Sequence, residues 1–370
     1  MNLSTIPFKK LSAQWKDIEP DCLPEILSFL ESGDYVNRGL KEQFELYVCN
    51  YLRTKYCIGV SSGTVALEIA LKALSLSDDT CVIIPANTYI ANALSIKSNN
   101  FTIQLIDVDN TYAINVDLLK QYIVENRSKY TNMVIMPVHL YGLCANMVEI
   151  NTLAKEFDCY IIEDFSQAFG SKTSNQLVGT FGDINIASCY PTKNLGSAGE
   201  AGIITTNSES LYIRIKQLIN MGEHTTDKNR YSLYGTNARI NNIQCIILKH
   251  KLNKMNEWIA KTKLLSYIYQ TNLHTVMLPK ITNIMDPYFH LYPVRVRNRE
   301  KLINILKNNS IEFGTQYQIP IQKQEIFKYL DKGNNNTLLY SKQIVTLPIY
   351  PHLGIDNTLK IVKVVNQYND

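Results

Sequence analysis

Apolar and polar positions alternate in blocks along the first two thirds of the chain, and these blocks predict strands and helices in turn. Short apolar runs predict buried strands, whereas stretches with apolar residues three and four apart predict amphipathic helices. The predicted strands are residues 56–60, 81–84, 101–108, 133–139, 160–164, 185–189 and 202–206, and the predicted helices are residues 64–74, 89–96, 118–125 and 147–157. This β-α-β-α order predicts an α/β fold with a largely parallel sheet covered on both faces.

The pattern changes after residue 239, where one long helix and a smaller group of elements are predicted. Residues 243–270 are rich in Lys and Leu and predict a single helix, whose basic stripe is typical of a solvent-facing side. The remaining elements are strands at 292–296 and 313–317, a helix between them at 299–307, and a closing helix at 359–366. We therefore predict a large domain over residues 1–250 and a smaller C-terminal α+β domain over residues 251–370.

Composition and charge exclude several classes of protein. The 370 residues are 45% hydrophobic and 19% charged, which is typical of a folded globular protein and excludes disorder of the whole chain. The net charge of +4 is weak and no dense basic face is visible, so no nucleic-acid partner is expected. Because no apolar run approaches the ~20 residues that a bilayer requires, no membrane partner is expected either.

The eight cysteines predict buried free thiols. None belongs to a Cys-x-x-Cys pair and several lie in apolar, strand-like segments, so neither a disulfide framework nor a zinc site is predicted. Free thiols are typical of a reducing compartment, and the N-terminus lacks the basic and apolar regions of a signal peptide. These features predict a cytoplasmic protein without a bound metal.

Three short motifs lie at the ends of predicted strands, where open α/β sheets bind their ligands. Residues 61–64 (Ser-Ser-Gly-Thr) open a helix, whose free N–H groups suit a phosphate, although a simple Ser or Thr N-cap is the alternative. Glu163 and Asp164 end an apolar strand, where burying a carboxylate is costly unless a cationic partner is present. A capping Asp is the alternative. Lys193 precedes a Gly-rich stretch; a buried lysine there can form a Schiff base, whereas a loop lysine is usually exposed.

Taken together, the three motifs supply what pyridoxal phosphate requires. The helix start would bind the phosphate, and Lys193, 29 residues after Asp164, would attach to the cofactor aldehyde. Asp164 would pair with the pyridine nitrogen and keep the ring an electron sink. The combination is more specific than any of its parts and predicts a pyridoxal-phosphate enzyme.

The ordered motifs resemble those of the DegT/StrS-type sugar aminotransferases, a fold-type I (aspartate-aminotransferase-like) family, over nearly the whole chain. The matching stretches are residues 6–8, 31–33, 61–67, 85–91, 138–142, 163–168, 181–183, 191–196, 237–240, 243–244 and 347–353. The resemblance implies a large cofactor domain with a mainly parallel sheet and a smaller C-terminal domain. It also implies a homodimer with shared active sites.

The resemblance further implies roles for individual residues. Lys193 would carry pyridoxal 5'-phosphate and move protons as general acid and base, while Asp164 would bind the pyridine nitrogen. Gln167 would lie near the 3-hydroxyl of the ring, and Tyr89 would stack on the ring, with a core aromatic as the alternative for Tyr89. The phosphate would be held by three residues of this chain and one of the neighbouring subunit, namely Gly63, Thr64, Ser188 and, from the neighbour, Asn237.

Transamination of a sugar is the reaction that the resemblance favours. Some relatives are 3-dehydratases with His in place of Lys193, and this chain keeps Lys. The substrate contacts would be Tyr190, Arg239, Gln316 and Tyr317, and Gln316 stands where the family often has His, which leaves the choice of sugar open. We expect an amino group to pass from L-glutamate to dTDP-4-keto-6-deoxyglucose, giving dTDP-4-amino-4,6-dideoxyglucose. A 3-keto-6-deoxyhexose giving the 3-amino product is the alternative.

Two other functions remain compatible with these residues. A fold-type I lyase or decarboxylase acting on an amino acid would share Lys193 and Asp164, and it would need an Arg to clamp the substrate carboxylate. Arg295, Arg297 and Arg299 are candidates by position. A regulator that kept the fold without the reaction is the other alternative, and the intact Lys, Asp and Gln argue against it.

Overall fold

The computed structural model describes residues 5–281, 283, 286–330 and 333–369. The strands within these ranges are β1 (Tyr56–Val60), β2 (Thr80–Pro85), β3 (Thr102–Ile106), β4 (Asn132–Ile135), β5 (Tyr160–Asp164), β6 (Lys172–Thr173), β7 (Gln176–Leu177), β8 (Ile184–Ser188), β9 (Gly202–Thr206), β10 (Tyr292–Arg295) and β11 (Ile344–Leu347). The helices are α1 (Leu11–Ser32), α2 (Arg38–Leu52), α3 (Gly63–Ala73), α4 (Ile90–Ser98), α5 (Val116–Asn126), α6 (Met147–Glu156), α7 (Glu209–Leu218), α8 (Asn242–Asn272), α9 (Arg299–Asn308), α10 (Asn335–Gln343) and α11 (Ile355–Val365).

A seven-stranded sheet forms the centre of the molecule, in the order β1-β9-β8-β5-β4-β2-β3. The five strands from β8 to β3 are parallel, and β9 runs antiparallel to both of its neighbours. Val82, Ile83 and Ile84 of β2 are fully buried, because helices cover both faces of the sheet and every second residue still meets a helix. The predicted α/β class with a mainly parallel sheet is confirmed.

Four helices, α1, α2, α7 and α10, were not predicted from the apolar pattern. In α1 only Ile18, Cys22 and Phe29 are buried apolar residues, and Pro20 and Pro24 lie inside the helix. A surface helix with so few buried positions carries a weak periodic signal. Within the described ranges, none of the helices combines the length and the hydropathy that crossing a bilayer requires.

The predicted strand at residues 313–317 is wrong. The partner of β10 is β11, whose Leu347 lies opposite Tyr292 in an antiparallel pair. Of the predicted strand, Gly314 alone forms a bridge, to Thr346. All four residues of β11 are buried, so the strand lacks the alternation of apolar and polar positions that would have identified it.

The C-terminal elements surround a hydrophobic cluster of their own. Leu302, Val345 and Ile361 belong to it, and so do Ile6 and Tyr141 from outside the predicted C-terminal domain. Helix α8 runs across residue 250, where the boundary was placed. The division into residues 1–250 and 251–370 therefore stays a prediction.

All eight cysteines are free thiols in the structure. Cys189, which lies inside the third motif, is buried, and burial raises its pKa to about 12. A thiol with such a pKa stays protonated near neutral pH and is a poor nucleophile. Among the described residues, no group of three or more His, Cys, Asp or Glu side chains is placed to hold a metal ion.

Asp107 joins the central sheet to the C-terminal elements. It follows β3 directly, and its carboxylate accepts hydrogen bonds from the backbone N–H groups of Asn336 and Thr337, both at 2.8 Å. The Thr337 hydroxyl donates a third bond at 2.7 Å. A negative charge that accepts from the first N–H groups of a helix stabilises that helix, so Asp107 caps α10 across the molecule.

Replacing Asp107 with Ala is expected to lower the free energy of unfolding by about 3 kcal/mol, because three donors lose a charged acceptor in a buried setting. Urea unfolding followed by circular dichroism measures this loss. Asp109→Ala is the matched control, since Asp109 accepts only local bonds from Thr111 in the neighbouring turn. A loss for Asp107→Ala no larger than the loss for Asp109→Ala would contradict the capping role.

Candidate active site

The three sequence motifs meet at one edge of the central sheet. Asp164 is the last residue of β5, and Ser188 is the last residue of β8, the strand beside it. Lys193 lies in the loop after β8 and interacts electrostatically with Asp164. Gly63 begins α3 against Ser188, and a Cβ on Gly63 would lie 2.4 Å from the Cβ of Ser188. No larger residue fits there, so Gly63 lets the start of α3 reach the end of β8.

The start of α3 forms a cradle that suits a phosphate. Ser62 caps the helix by accepting a bond from the backbone N–H of Val65, at 3.2 Å. Gly63 and Thr64 form the first turn, where helix N–H groups have no intrahelical acceptor and carry a partial positive charge. Ser188 faces Gly63 across the cradle. These groups fit the phosphate of pyridoxal phosphate, because small residues allow an anion to approach the backbone closely.

Asp164 is a buried carboxylate with a donor on each oxygen. Its Oδ1 accepts from the backbone N–H of Ser166 at 2.9 Å, and its Oδ2 accepts from Nδ2 of Asn92 at 2.8 Å. Hydrogen bonds donated to a carboxylate favour its ionised form. A buried ionised carboxylate is costly without a cationic partner, and the protonated ring nitrogen of the cofactor would supply one.

Gln167 and two tyrosines lie beside Asp164. The Gln167 Oε1 accepts from the backbone N–H of Tyr141 at 2.9 Å, and its Nε2 donates to the Tyr317 hydroxyl at 3.0 Å. The ring centroids of Tyr317 and Tyr89 are 6.0 Å apart. Tyr89 is 53% exposed, so its alternative interpretation as a core aromatic is wrong. An exposed ring beside this cluster is free to stack on a planar cofactor.

Lys193 is partly buried, and burial lowers its pKa to about 8, while the negative charge of Asp164 opposes that shift. A second lysine lies close by. Lys9 and Lys193 line one small cavity, and the Lys9 ammonium donates to the carbonyls of His290 at 2.6 Å and Ile349 at 3.0 Å. Burial and the charge of Lys193 lower the pKa of Lys9 as well.

Attachment of pyridoxal phosphate to Lys193 is expected to become faster as the pH rises through about 8. Only the neutral amine attacks an aldehyde, so the rate follows the deprotonated fraction of Lys193. An unperturbed lysine would give a midpoint near ~10.4. Stopped-flow absorbance of the cofactor-free protein mixed with pyridoxal phosphate measures this midpoint, and a value above ~10 would contradict a buried, activated lysine.

The predicted substrate contacts differ in how they are placed. Tyr190 is 46% exposed in the loop that leads to Lys193. Gln316 is engaged within the C-terminal part, because its Oε1 accepts from the Thr346 hydroxyl at 2.8 Å and its carbonyl accepts from the Tyr141 hydroxyl. Tyr317 reaches the cofactor-binding cluster through Gln167. The structure therefore brings Tyr317 to the site, while the Gln316 side chain turns toward β11.

Arg239 and Asn237 lie on an arm formed by residues 220–239. Backbone bridges join Asn220 to Asn237 across the arm, and Arg239 donates to the side-chain oxygen of Asn220. The carbonyl of Ala238 accepts from the backbone N–H of Ser61 at 2.9 Å, so the base of the arm adjoins the phosphate motif. Asn237 itself is exposed. Its contribution to a neighbouring subunit stays a prediction.

Sequence reasoning missed two residues of this cluster. Asn92 lies in a helix that was predicted, and its polar side chain on a buried position was a signal that could have identified it. Lys9 follows a matching stretch at residues 6–8 but carries no motif of its own. Its place beside Lys193 depends on how the N-terminal segment packs, which the local pattern does not reveal.

Comparison with known proteins identifies the family. The model of the DegT/DnrJ/EryC1/StrS aminotransferase family matches residues 16–366. A dTDP-3-amino-3,6-dideoxy-alpha-D-galactopyranose transaminase from Aneurinibacillus thermoaerophilus is 35% identical, over 92% of this chain and 93% of its own. A GDP-perosamine synthase from Escherichia coli O157:H7 is 30% identical, over 97% of this chain and 96% of its own.

Two solved structures show the same fold with the cofactor chemistry in place. DesV of Streptomyces venezuelae, in complex with a ketimine intermediate, has a TM-score of 0.92 and 28% identity over 98% of both chains. NtdA of Bacillus subtilis, with bound pyridoxamine phosphate, has a TM-score of 0.90 and 27% identity over 99% of this chain and 86% of its own. The chain therefore belongs to the DegT/DnrJ/EryC1/StrS family and is a pyridoxal-phosphate-dependent sugar aminotransferase.

Proposed function

We propose that the protein transfers an amino group from L-glutamate to carbon 3 of a dTDP-linked keto-6-deoxyhexose. The observation that carries the reaction is the convergence of Lys193, Asp164 and the Gly63 cradle at one sheet edge. The sugar rests on the 35% identical transaminase, whose name specifies a dTDP-3-amino-3,6-dideoxy sugar. We therefore rank the 3-keto substrate above dTDP-4-keto-6-deoxyglucose, which is the sugar expected from the sequence. Both sugars are compared in the experiment.

The proposed mechanism assigns one task to each residue of the cluster. Pyridoxal phosphate, when bound, supplies an aldehyde carbon that carries the amino group and a ring that withdraws electrons. Lys193 would bind the cofactor aldehyde and then, as a free amine, would move the proton to and from the substrate carbon. Asp164 would accept from the ring nitrogen, and the helix start at Gly63 would hold the phosphate. Tyr89 would stack on the ring.

The alternative of an enzyme acting only on amino acids has less support, because two of its candidate clamps are engaged elsewhere. The guanidinium carbon of Arg295 lies 3.8 Å from the ring centroid of Tyr340, in a cation–π contact. Arg299 donates to the carbonyl of Ser341 at 2.7 Å. Both arginines therefore bind within the C-terminal part of their own chain. Their packing favours a structural role.

A panel of nucleotide-linked keto-sugars tests the substrate. The purified protein is loaded with pyridoxal phosphate and incubated with L-glutamate and dTDP-linked 3-keto and 4-keto 6-deoxyhexoses, with UDP- and GDP-linked sugars as comparisons. The product mass shows whether the sugar has been aminated, and NMR shows which carbon carries the amino group. We expect the dTDP-linked 3-amino product and none with Lys193→Ala. Amination at carbon 4 would replace the proposed sugar with the second candidate, and turnover of amino acids alone would overturn sugar transamination.

We also propose a homodimer in which Asn237 of each subunit completes the phosphate site of the other. The exposed arm that carries Asn237 supports this proposal, since its Tyr231 and Tyr234 are 56% and 92% exposed and a neighbouring chain would bury both. An isologous dimer would repeat the same contact twice. The test below separates a shared site from one contained in a single chain.

Mixing two inactive variants is expected to restore activity if the sites are shared. A dimer of one Lys193→Ala chain and one Asn237→Asp chain has one site with both changes and one site with neither. Random mixing should therefore recover about a quarter of the unmodified activity. Refolding equal amounts together, followed by the transaminase assay, measures the recovery. If the mixture shows only the average of the two parents, each site is built from a single chain.

A further inference from the structure

We propose that Asn92, held in place by Thr88, is a positioning residue that keeps the Asp164 carboxylate aimed at the cofactor ring nitrogen. The inference rests on the proposed role of Asp164 and extends it to a residue with no assigned function. Asn92 is 1% exposed and lies in the first turn of α4. Tyr89 is the N-cap of the same helix. The Asn92 side chain points back to the end of β5.

The hydrogen bonds around Asn92 form a chain of three side chains. The Thr88 hydroxyl donates to Oδ1 of Asn92 at 2.9 Å, and Nδ2 of Asn92 donates to Oδ2 of Asp164 at 2.8 Å. Nδ2 also lies 3.6 Å from the sulfur of Met136, which is a weak acceptor. All three members of the chain are buried. Each polar atom of the Asn92 amide therefore has a partner.

This arrangement determines which way the amide faces. An ionised carboxylate only accepts, so the side of the amide that meets Asp164 must be its NH₂ group. The Oδ1 atom then needs a donor, and the Thr88 hydroxyl is the donor that the structure places there. A flipped amide would set two oxygens against each other in a buried site, which is strongly unfavourable. The Asp164 carboxylate thus sets the orientation of Asn92, and the Thr88 hydroxyl supplies the donor that this orientation requires.

The same turn of α4 links two proposed cofactor contacts. The backbone N–H of Asn92 bonds to the carbonyl of Tyr89 at 3.2 Å, so the residue proposed to stack on the ring and the residue that supports Asp164 move together. With the Ser166 N–H on Oδ1 and Asn92 on Oδ2, the carboxylate is held from both sides. A carboxylate held in one orientation loses little entropy when it binds a cation.

The protonation of the ring nitrogen tests the inference. Asn92→Leu removes one of the two donors to the carboxylate, so the carboxylate would accept the ring N–H more strongly and the shared proton would move from the ring nitrogen toward it. We expect the nitrogen-15 chemical shift of labelled, protein-bound cofactor to move toward that of a neutral pyridine. Cofactor affinity should fall at least about five-fold, as for the loss of a hydrogen bond to a charged group. Thr88→Val should shift the signal in the same direction by a smaller amount.

Ser95→Ala is the matched control. The Ser95 hydroxyl is buried on the same helix and donates to the carbonyl of Asn92, without contacting Asp164. It should leave the nitrogen-15 shift unchanged. An unchanged shift in both Asn92→Leu and Thr88→Val would overturn the inference. If neither the unmodified protein nor any variant binds the cofactor, the proposed function itself fails, and this outcome is distinct.

Discussion

Replacing Lys193 with Ala is expected to abolish covalent attachment of pyridoxal phosphate and to slow sugar transamination by about 10³-fold or more. Two functions are lost at once, because the same amine first holds the cofactor carbon and then moves the substrate proton. Among the residues of the cluster, Lys193 is the amine whose loop places it beside Asp164 and whose pKa is lowered to about 8. Burial has therefore prepared a nucleophile at this position.

Attachment can be measured without the reaction. Reduction with borohydride traps the bond between lysine and cofactor, and mass spectrometry of the digested protein locates it. The unmodified protein should carry the label at Lys193, and Lys193→Ala should carry none. Lys9→Met is the matched control, because Lys9 lines the same small cavity but donates to two backbone carbonyls. Label on Lys9, or label that persists in Lys193→Ala, would contradict the assignment.

Strand ends were the part of the fold that the sequence predicted best. Strands β1, β5 and β9 begin and end at the predicted residues. Functional side chains follow such ends directly, so Asp164 was placed as soon as β5 was. Lys193 was placed by the Gly-rich stretch after it. Local patterns thus predicted which side chains lie at this edge of the sheet, and their roles stay a prediction.

Contacts between distant segments were not predictable in the same way. Asp107 lies inside the predicted strand at residues 101–108, and nothing local indicates that it caps α10 more than two hundred residues later. Lys9 and Asn92 share this limitation, since their roles depend on which buried groups they meet. A fully buried β11 gives no periodic signal, which explains why this strand was not predicted. Tertiary packing decides where such a strand lies and leaves little trace in short stretches of sequence.

The resemblance to a family supplied what neither pattern nor spacing could. It led to Gln167 and Tyr317, whose side chains the structure joins by a hydrogen bond of 3.0 Å across 150 residues of sequence. It also assigned Gln316 a substrate contact, whereas the side chain bonds to Thr346. Substitutions at substrate positions change partners within the chain, so a family pattern transfers less reliably there than at the cofactor.

Asp164→Ala is expected to slow transamination by about 10²- to 10³-fold, the cost of removing one preorganised charge from the place where charge develops. In the proposed role, the carboxylate would hold the ring nitrogen in its protonated form, and that form withdraws electrons from the substrate carbon. Covalent attachment to Lys193 should survive, because it needs only the amine and the aldehyde. Rate and attachment therefore separate in this variant, whereas both are lost in Lys193→Ala.

Glu163→Gln is the matched control, since the two carboxylates are adjacent on β5 but face different surroundings. Glu163 accepts from the backbone N–H groups of Gly179 at 2.6 Å and Phe181 at 2.8 Å, and it pairs with His139 at 2.9 Å. Its loss should lower the melting temperature and leave the absorbance of the bound cofactor unchanged. Asp164→Ala should change the absorbance of the bound cofactor, because this carboxylate is the one proposed to meet the ring nitrogen. If both substitutions changed the absorbance of the bound cofactor equally, the effect would come from the packing at the end of β5. The proposed role of Asp164 at the ring nitrogen would then be wrong.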